Sequence, residues 1–197
     1  MIQVQTLEVA GIEQAMRAMR NPMDSWARGD TGGGKVGKED KALTEKLIAA
    51  GPEHAKHIRL IQVWADVTAP LYWWKEFDTY RAGVEKVSCS TMHTITKSPF
   101  KAEMFSGEVA PQAIEWLEIQ RGFWMVAEPD RKAVYWRRIV ENLPSGFLQR
   151  RTVMMSYAAL RQIYKQRNGH RLTEWHVFRV WAAGLPEGWM ITEGVDE

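Results

Sequence analysis

A chain of 197 residues, 45% hydrophobic and 25% charged, can bury a substantial core and has the balance of a soluble globular protein. A formal net charge of only +2 argues against a protein built mainly to bind nucleic-acid backbone. The single cysteine, Cys89, excludes an internal disulfide and suits a reducing compartment; with no charged-then-apolar leader and no apolar run of membrane-spanning length, the expected location is the cytoplasm.

Taken in chain order, Gln3 to Val9 alternates polar and apolar residues, which predicts a half-buried strand. Ile12, Ala15, Met16 and Met19 recur at helical spacing, and Asn21-Pro22 ends that helix. Gly29 to Lys38, GDTGGGKVGK, has the most flexible composition in the chain. It nearly spells a phosphate-binding loop, with Gly29, Gly34 and Lys35 at the required spacing. Val36, however, stands where a hydroxyl would ligand magnesium, and no strand precedes the loop. A flexible surface loop over 29–38 is therefore expected, with closure over a ligand left open.

Asp40 to Ala50 reads as a helix stopped by Gly51-Pro52. His54 and His57 form an H-x-x-H pair, but no third ligand stands at a telling spacing, so no metal site is expected. Ile58 to Thr68 predicts a strand with Ile58, Leu60 and Trp64 on one side. It leads into the stretch APLYWWKEFDTYRAGVEKVSCSTMH, Ala69 to His93, read as a short aromatic helix followed by a loop of hydroxyl residues. The spacing of Tyr72, Trp73, Trp74 and Phe77 covers more than one helix face, which predicts that they do not all enter one core. Arg81 lies where helix gives way to loop. An arginine beside a cluster of Ser and Thr donors suits an anionic ligand.

Lys97 to Gly107 is loop-like. Ala113–Ala127 and Arg131–Val140 have helical periodicity and meet at Pro129. Thr152 to Arg167 predicts a strong helix, and Leu172 to Ala183 a second with Thr173 as its cap. The tail after Gly184 is expected to be extended or frayed.

Three segments resemble the flavin-dependent thymidylate synthases (ThyX). Leu143 to Arg167, LPSGFLQRRTVMMSYAALRQIYKQR, is similar without a gap to the family segment in which Leu-Pro precedes a substrate-binding arginine and a helix ends in the catalytic one. Arg150 falls on the phosphate-holding arginine, Gln162 on the helix asparagine beside the flavin, and Arg167 on the arginine that polarises the uracil ring. The family motif R-H-R-x-x-S-x-N-E-x-S-x-R is retained only in part. Arg81 takes its third position, Glu76 stands where the preceding helix carries a glutamine, and Ser88 and Ser90 match after one inserted residue. Thr79 and Tyr80 replace the first Arg and the His, and Met92 the last Arg. Gly51 to Ile58 resembles a shortened G-H-E-S-P-L-E-H, in which His54 or His57 matches a flavin-contacting histidine; His170 matches another with an offset of one.

The resemblance implies a mixed α/β fold, an antiparallel sheet flanked by long helices, forming one domain over residues 1–197 and a homotetramer with active sites between subunits. It implies a deoxyuridine nucleotide (dUMP) as substrate, FAD as cofactor, and folate and NADPH as co-substrates. The catalytic residue would be Arg167. Substrate would be held by Glu76, Arg81, Ser88, Ser90, Arg150 and Arg167, and flavin by His54, His57, Arg81, Gln162 and His170. Flavin contacts have suffered more than nucleotide contacts, so a second expectation is a flavin-free nucleotide-binding protein on the same scaffold. A structural oligomer without ligand is the third.

Overall fold

The computed structural model describes residues 2–194. Among them β1 (Gln3–Ala10), β2 (Gln62–Pro70), β3 (Val84–Ser88) and β4 (Leu148–Ser156) form one antiparallel sheet in the order β1-β2-β4-β3. The helices are α1 (Ile12–Met19), α2 (Lys38–Ala49), α3 (Leu71–Phe77), α4 (Thr91–Thr94), α5 (Pro111–Val126), α6 (Pro129–Glu141), α7 (Tyr157–Gln166), α8 (Thr173–Ala183) and α9 (Trp189–Thr192). The mixed α/β class expected from the sequence is the one observed.

Three boundaries differ from the sequence reading. Lys56–Arg59 is a 3₁₀ turn rather than strand, and β2 buries Val63, Ala65, Val67 and Ala69 while Trp64 lies on the opposite face. An alternating run can be read in two registers, and a slip of one inverts every side chain. Thr152 to Ser156 is strand, not helix: Val153 and Met155 alternate inward, and the Ser156 hydroxyl accepts the amide of Ala159 to start α7. β3 lies within the expected loop: only Val84 of its five residues is buried, so no apolar alternation marks it as strand.

The chain divides into two compact units, Met1–Gln3 with Val67–Thr79 and Val87–Arg151, and Val4–Asp66 with Tyr80–Lys86 and Thr152–Glu197. In the first, Leu117 of α5 and Ile139 of α6 close on Ile95, Phe100, Phe105 and Phe147. Trp73, Trp74 and Phe77 of α3 are all buried while Tyr72 is only half-buried, so the four do not all enter the core. Long rings reach around the helix: Trp73 stacks on Phe77 at 5.0 Å, Trp74 meets Phe77 edge-on at 5.3 Å, and its indole N–H donates to the Gln149 carbonyl at 2.9 Å.

In the second unit α7 buries Tyr157, Leu160, Ile163 and Tyr164 and packs against α8 and α9. Thr173 opens α8 as its first residue, and no side chain caps that helix. Over residues 185–194 the segment after Gly184 is not extended, and residues 195–197 lie outside the described residues. Leu185, Met190 and Ile191 are buried, and the Tyr157 hydroxyl donates to the Pro186 carbonyl.

Candidate functional site

The hydroxyl-rich turn after β3 is bound to β4 within the first unit. The Cys89 amide donates to the Arg150 carbonyl at 2.9 Å, so Ser88 and Ser90 flank the backbone of that arginine. Gln149 reaches across, its amide nitrogen donating to the Cys89 carbonyl at 3.2 Å and to the Thr91 hydroxyl at 3.1 Å. The two neighbouring arginines are used differently. Arg151 donates to Asp78 at 2.8 Å and lies over the Trp74 ring at 4.2 Å. Arg150 is exposed, and its side chain has no hydrogen bond among the described residues, which leaves its donors to solvent or to an anion. Ser88 is exposed, Ser90 is half-buried at the start of α4, and Glu76 is half-buried on α3.

The second unit carries Arg167 at the C-terminal end of α7, where the helix dipole favours a cation. Its Nε donates to the Tyr80 hydroxyl at 2.8 Å, and its guanidinium lies over the Trp175 ring at 4.5 Å. Trp175 is completely buried, with Phe178 edge-on at 5.8 Å, Tyr80 at 6.1 Å and His170 at 6.3 Å. The His170 Nδ1 accepts the Leu172 amide at 3.1 Å, which makes that nitrogen the unprotonated one in the neutral ring. Arg167 and His170 are thus brought together, around two residues that the sequence reading passed over as site members. Tyr80 counted only as a lost histidine, and Trp175 carried no signal of its own.

The other expected flavin residues are scattered. Gln162 and His54 are exposed on α7 and in the turn after Gly51, and Arg81 is exposed in the turn before β3. His57 is buried in the 3₁₀ turn that packs against α1 and α7. Neither of its ring nitrogens has a hydrogen-bond partner among the described residues, and burial lowers its pKa from 6.5 to about 4.

The glycine-rich segment does not offer its amides to a phosphate. The amides of Asp30 and Thr31 and the Thr31 hydroxyl donate to one carboxylate oxygen of Asp40. Gly34 donates to Glu13, Val36 to Glu187 and Gly37 to the Thr31 hydroxyl, while Gly32 and Lys35 pair with each other. The chain's own carboxylates occupy the amides that a phosphate-binding loop would turn outward. Among the described residues no cluster of His, Cys, Asp and Glu could hold a metal ion, and no helix is long and apolar enough to cross a membrane.

Comparison with solved structures decides the scaffold. A Helicobacter pylori thymidylate synthase X (ThyX) crystallised with FAD and dUMP superposes with a TM-score of 0.75 over 96% of each chain at 15% identity. A second structure of flavin-dependent ThyX from Helicobacter pylori, complexed with FAD and dUMP, gives 0.76 over 98% of this chain and 99% of that one, again at 15% identity. The chain has a ThyX-like fold. No family model and no curated protein matches the sequence, and at 15% identity the likeness is one of fold.

Proposed function

We propose that this chain, as a single ThyX-like domain assembled into a homotetramer, binds a deoxyuridine nucleotide. Arg167 carries the reading. A guanidinium fixed by a hydrogen bond and a buried aromatic platform, at the end of α7, suits polarising a ring carbonyl. The scaffold is shared with structures crystallised with dUMP. Arg150 takes the phosphate, helped by Ser88 and Ser90 at the turn after β3, and Arg81 and Glu76 are the further nucleotide contacts that the resemblance implies. If the reaction of the family is retained, Arg167 draws charge onto the uracil carbonyl and makes the ring electrophilic for C5 methylation.

The contacts that the family motif gives a flavin are only partly present. Of the positions that would hold it, the Thr79 hydroxyl donates to the Glu76 carbonyl and the Tyr80 hydroxyl accepts from Arg167. His57 is enclosed in the core without a polar partner. Arg81 alone of the three R-H-R positions keeps its cation. These observations favour the flavin-free form of the proposal, a nucleotide sensor, a sequestering protein or an enzyme of different chemistry, over flavin-dependent methylation with folate and NADPH. Absorbance and melting of the purified protein separate the two. The flavin-free form gives a colourless protein whose melting temperature rises with dUMP. A band near about 450 nm, the flavin's own absorption, restores the flavin-dependent form. Absence of any shift with dUMP removes both.

A further inference from the structure

Tyr80 occupies a position that the family resemblance scores as a loss. Its hydroxyl nevertheless accepts from Arg167 Nε at 2.8 Å. Both residues are tied to the same helix. The turn that follows Tyr80 is fixed at Gly83, whose φ of +70° favours glycine and where a Cβ would meet the Ser156 hydroxyl. The Gly83 carbonyl accepts the Ser156 amide at 2.9 Å, and Ser156 caps α7. Arg167 stands at the other end of α7. A rigid helix of ten residues, about 15 Å long, therefore holds the anchor of the Tyr80 turn and the backbone of Arg167 at a set separation.

We propose that Tyr80 is a positioning residue that orients the Arg167 guanidinium and thereby sets which pyrimidine base the chain accepts. The inference rests on the reading of Arg167 as the base-facing residue. An arginine side chain left to itself samples many rotamers. The Trp175 ring holds the guanidinium by a contact without fixed direction, 4.5 Å to its centroid, and the Nε–hydroxyl bond adds a directional one. Direction then matters chemically. Guanidinium carries only donors, so an oriented one pairs with the 4-carbonyl of uracil and meets another donor at the 4-amino group of cytosine. A guanidinium that lacks this directional bond is held less strictly against the amino group and discriminates less.

Calorimetric titration of the full chain with dUMP, dCMP and deoxyuridine tests this. The wild type should prefer dUMP over dCMP. Tyr80→Phe, which deletes one oxygen and keeps the ring, should lower that preference at least about fivefold, roughly 1 kcal/mol. It should leave the preference for dUMP over deoxyuridine unchanged, because the phosphate grip does not depend on it. In an Arg167→Ala background the same change should have no effect on base preference, a comparison that stands even where Tyr80→Phe lowers the melting temperature. A wild type that binds dUMP without base preference, or a Tyr80→Phe variant that keeps it, overturns the inference and leaves nucleotide binding standing. An equal loss in the Arg167→Ala background does the same. A wild type that binds no dUMP overturns the underlying reading.

Discussion

Arg20 directs Nε and Nη2 at one carboxylate oxygen of Asp40, each at 2.6 Å, and both side chains are almost fully buried. The other Asp40 oxygen gathers the amides of Asp30 and Thr31 and the Thr31 hydroxyl. One carboxylate thus neutralises a buried cation and folds the glycine-rich segment, while Asp30 returns the favour by accepting the amides of Glu39 and Asp40. Asp40→Ala should cost about 3–5 kcal/mol, the cost of a buried charge left alone. Denaturant unfolding measures it, and a loss below about 1 kcal/mol would show that the pair contributes little.

The same hydrogen bonds predict a null result at Lys35. With the neighbouring amides held by the chain's own carboxylates, Lys35→Ala should change dUMP affinity by no more than about a few fold. A hundredfold loss, about 2.7 kcal/mol, would reinstate the segment as part of a phosphate site.

His57 gives a pH signature. Burial lowers its folded-state pKa to about 4, below the ordinary 6.5, so between those values the unfolded chain binds the extra proton. Its neutral form is accommodated above pH 6.5, and stability should fall as pH drops from 6.5 towards 4, by up to about 3 kcal/mol. In His57→Leu that part of the pH dependence should vanish, with stability at pH 7 within about 1 kcal/mol of wild type. Melting curves from pH 7 to 4 compare the two; parallel profiles would contradict the assignment.

Trp116, Ile119, Phe123 and Val126 of α5 are exposed and follow one another at intervals of three and four, a single apolar stripe. The stripe supports self-association. Sedimentation should give a multiple of 22.7 kDa, and Phe123→Glu should shift it towards the monomer. A wild type that stays at 22.7 kDa at micromolar concentration contradicts the proposed tetramer.

Much of this was legible in the sequence, and for identifiable reasons. Pro129 at the start of α6 and the Asn21-Pro22 break after α1 announce themselves because proline lacks an amide donor. The fold itself came from the resemblance of Leu143 to Arg167, although the periodicity there misassigned Thr152 to Ser156 as helix. Alternating Val153 and Met155, followed by Ser156 as a cap, held the correct boundary. The Asp40 hub was not legible, because its partners lie far apart in sequence and nothing local marks an aspartate as buried. Tyr80 is not legible either: the family motif has a histidine at its position, and its bond to Arg167 joins residues 87 positions apart.

The central claim is that the chain binds a deoxyuridine nucleotide through Arg150 at the phosphate and Arg167 at the ring. Calorimetric titration of dUMP into the wild type, Arg150→Ala and Arg167→Ala tests it most directly. The account predicts saturable binding to the wild type. Arg150→Ala should lose the preference for dUMP over deoxyuridine, and Arg167→Ala the preference for uracil over other bases, each by about tenfold or more, about 1.4 kcal/mol. Two variants that bind dUMP as tightly and as selectively as the wild type would contradict it.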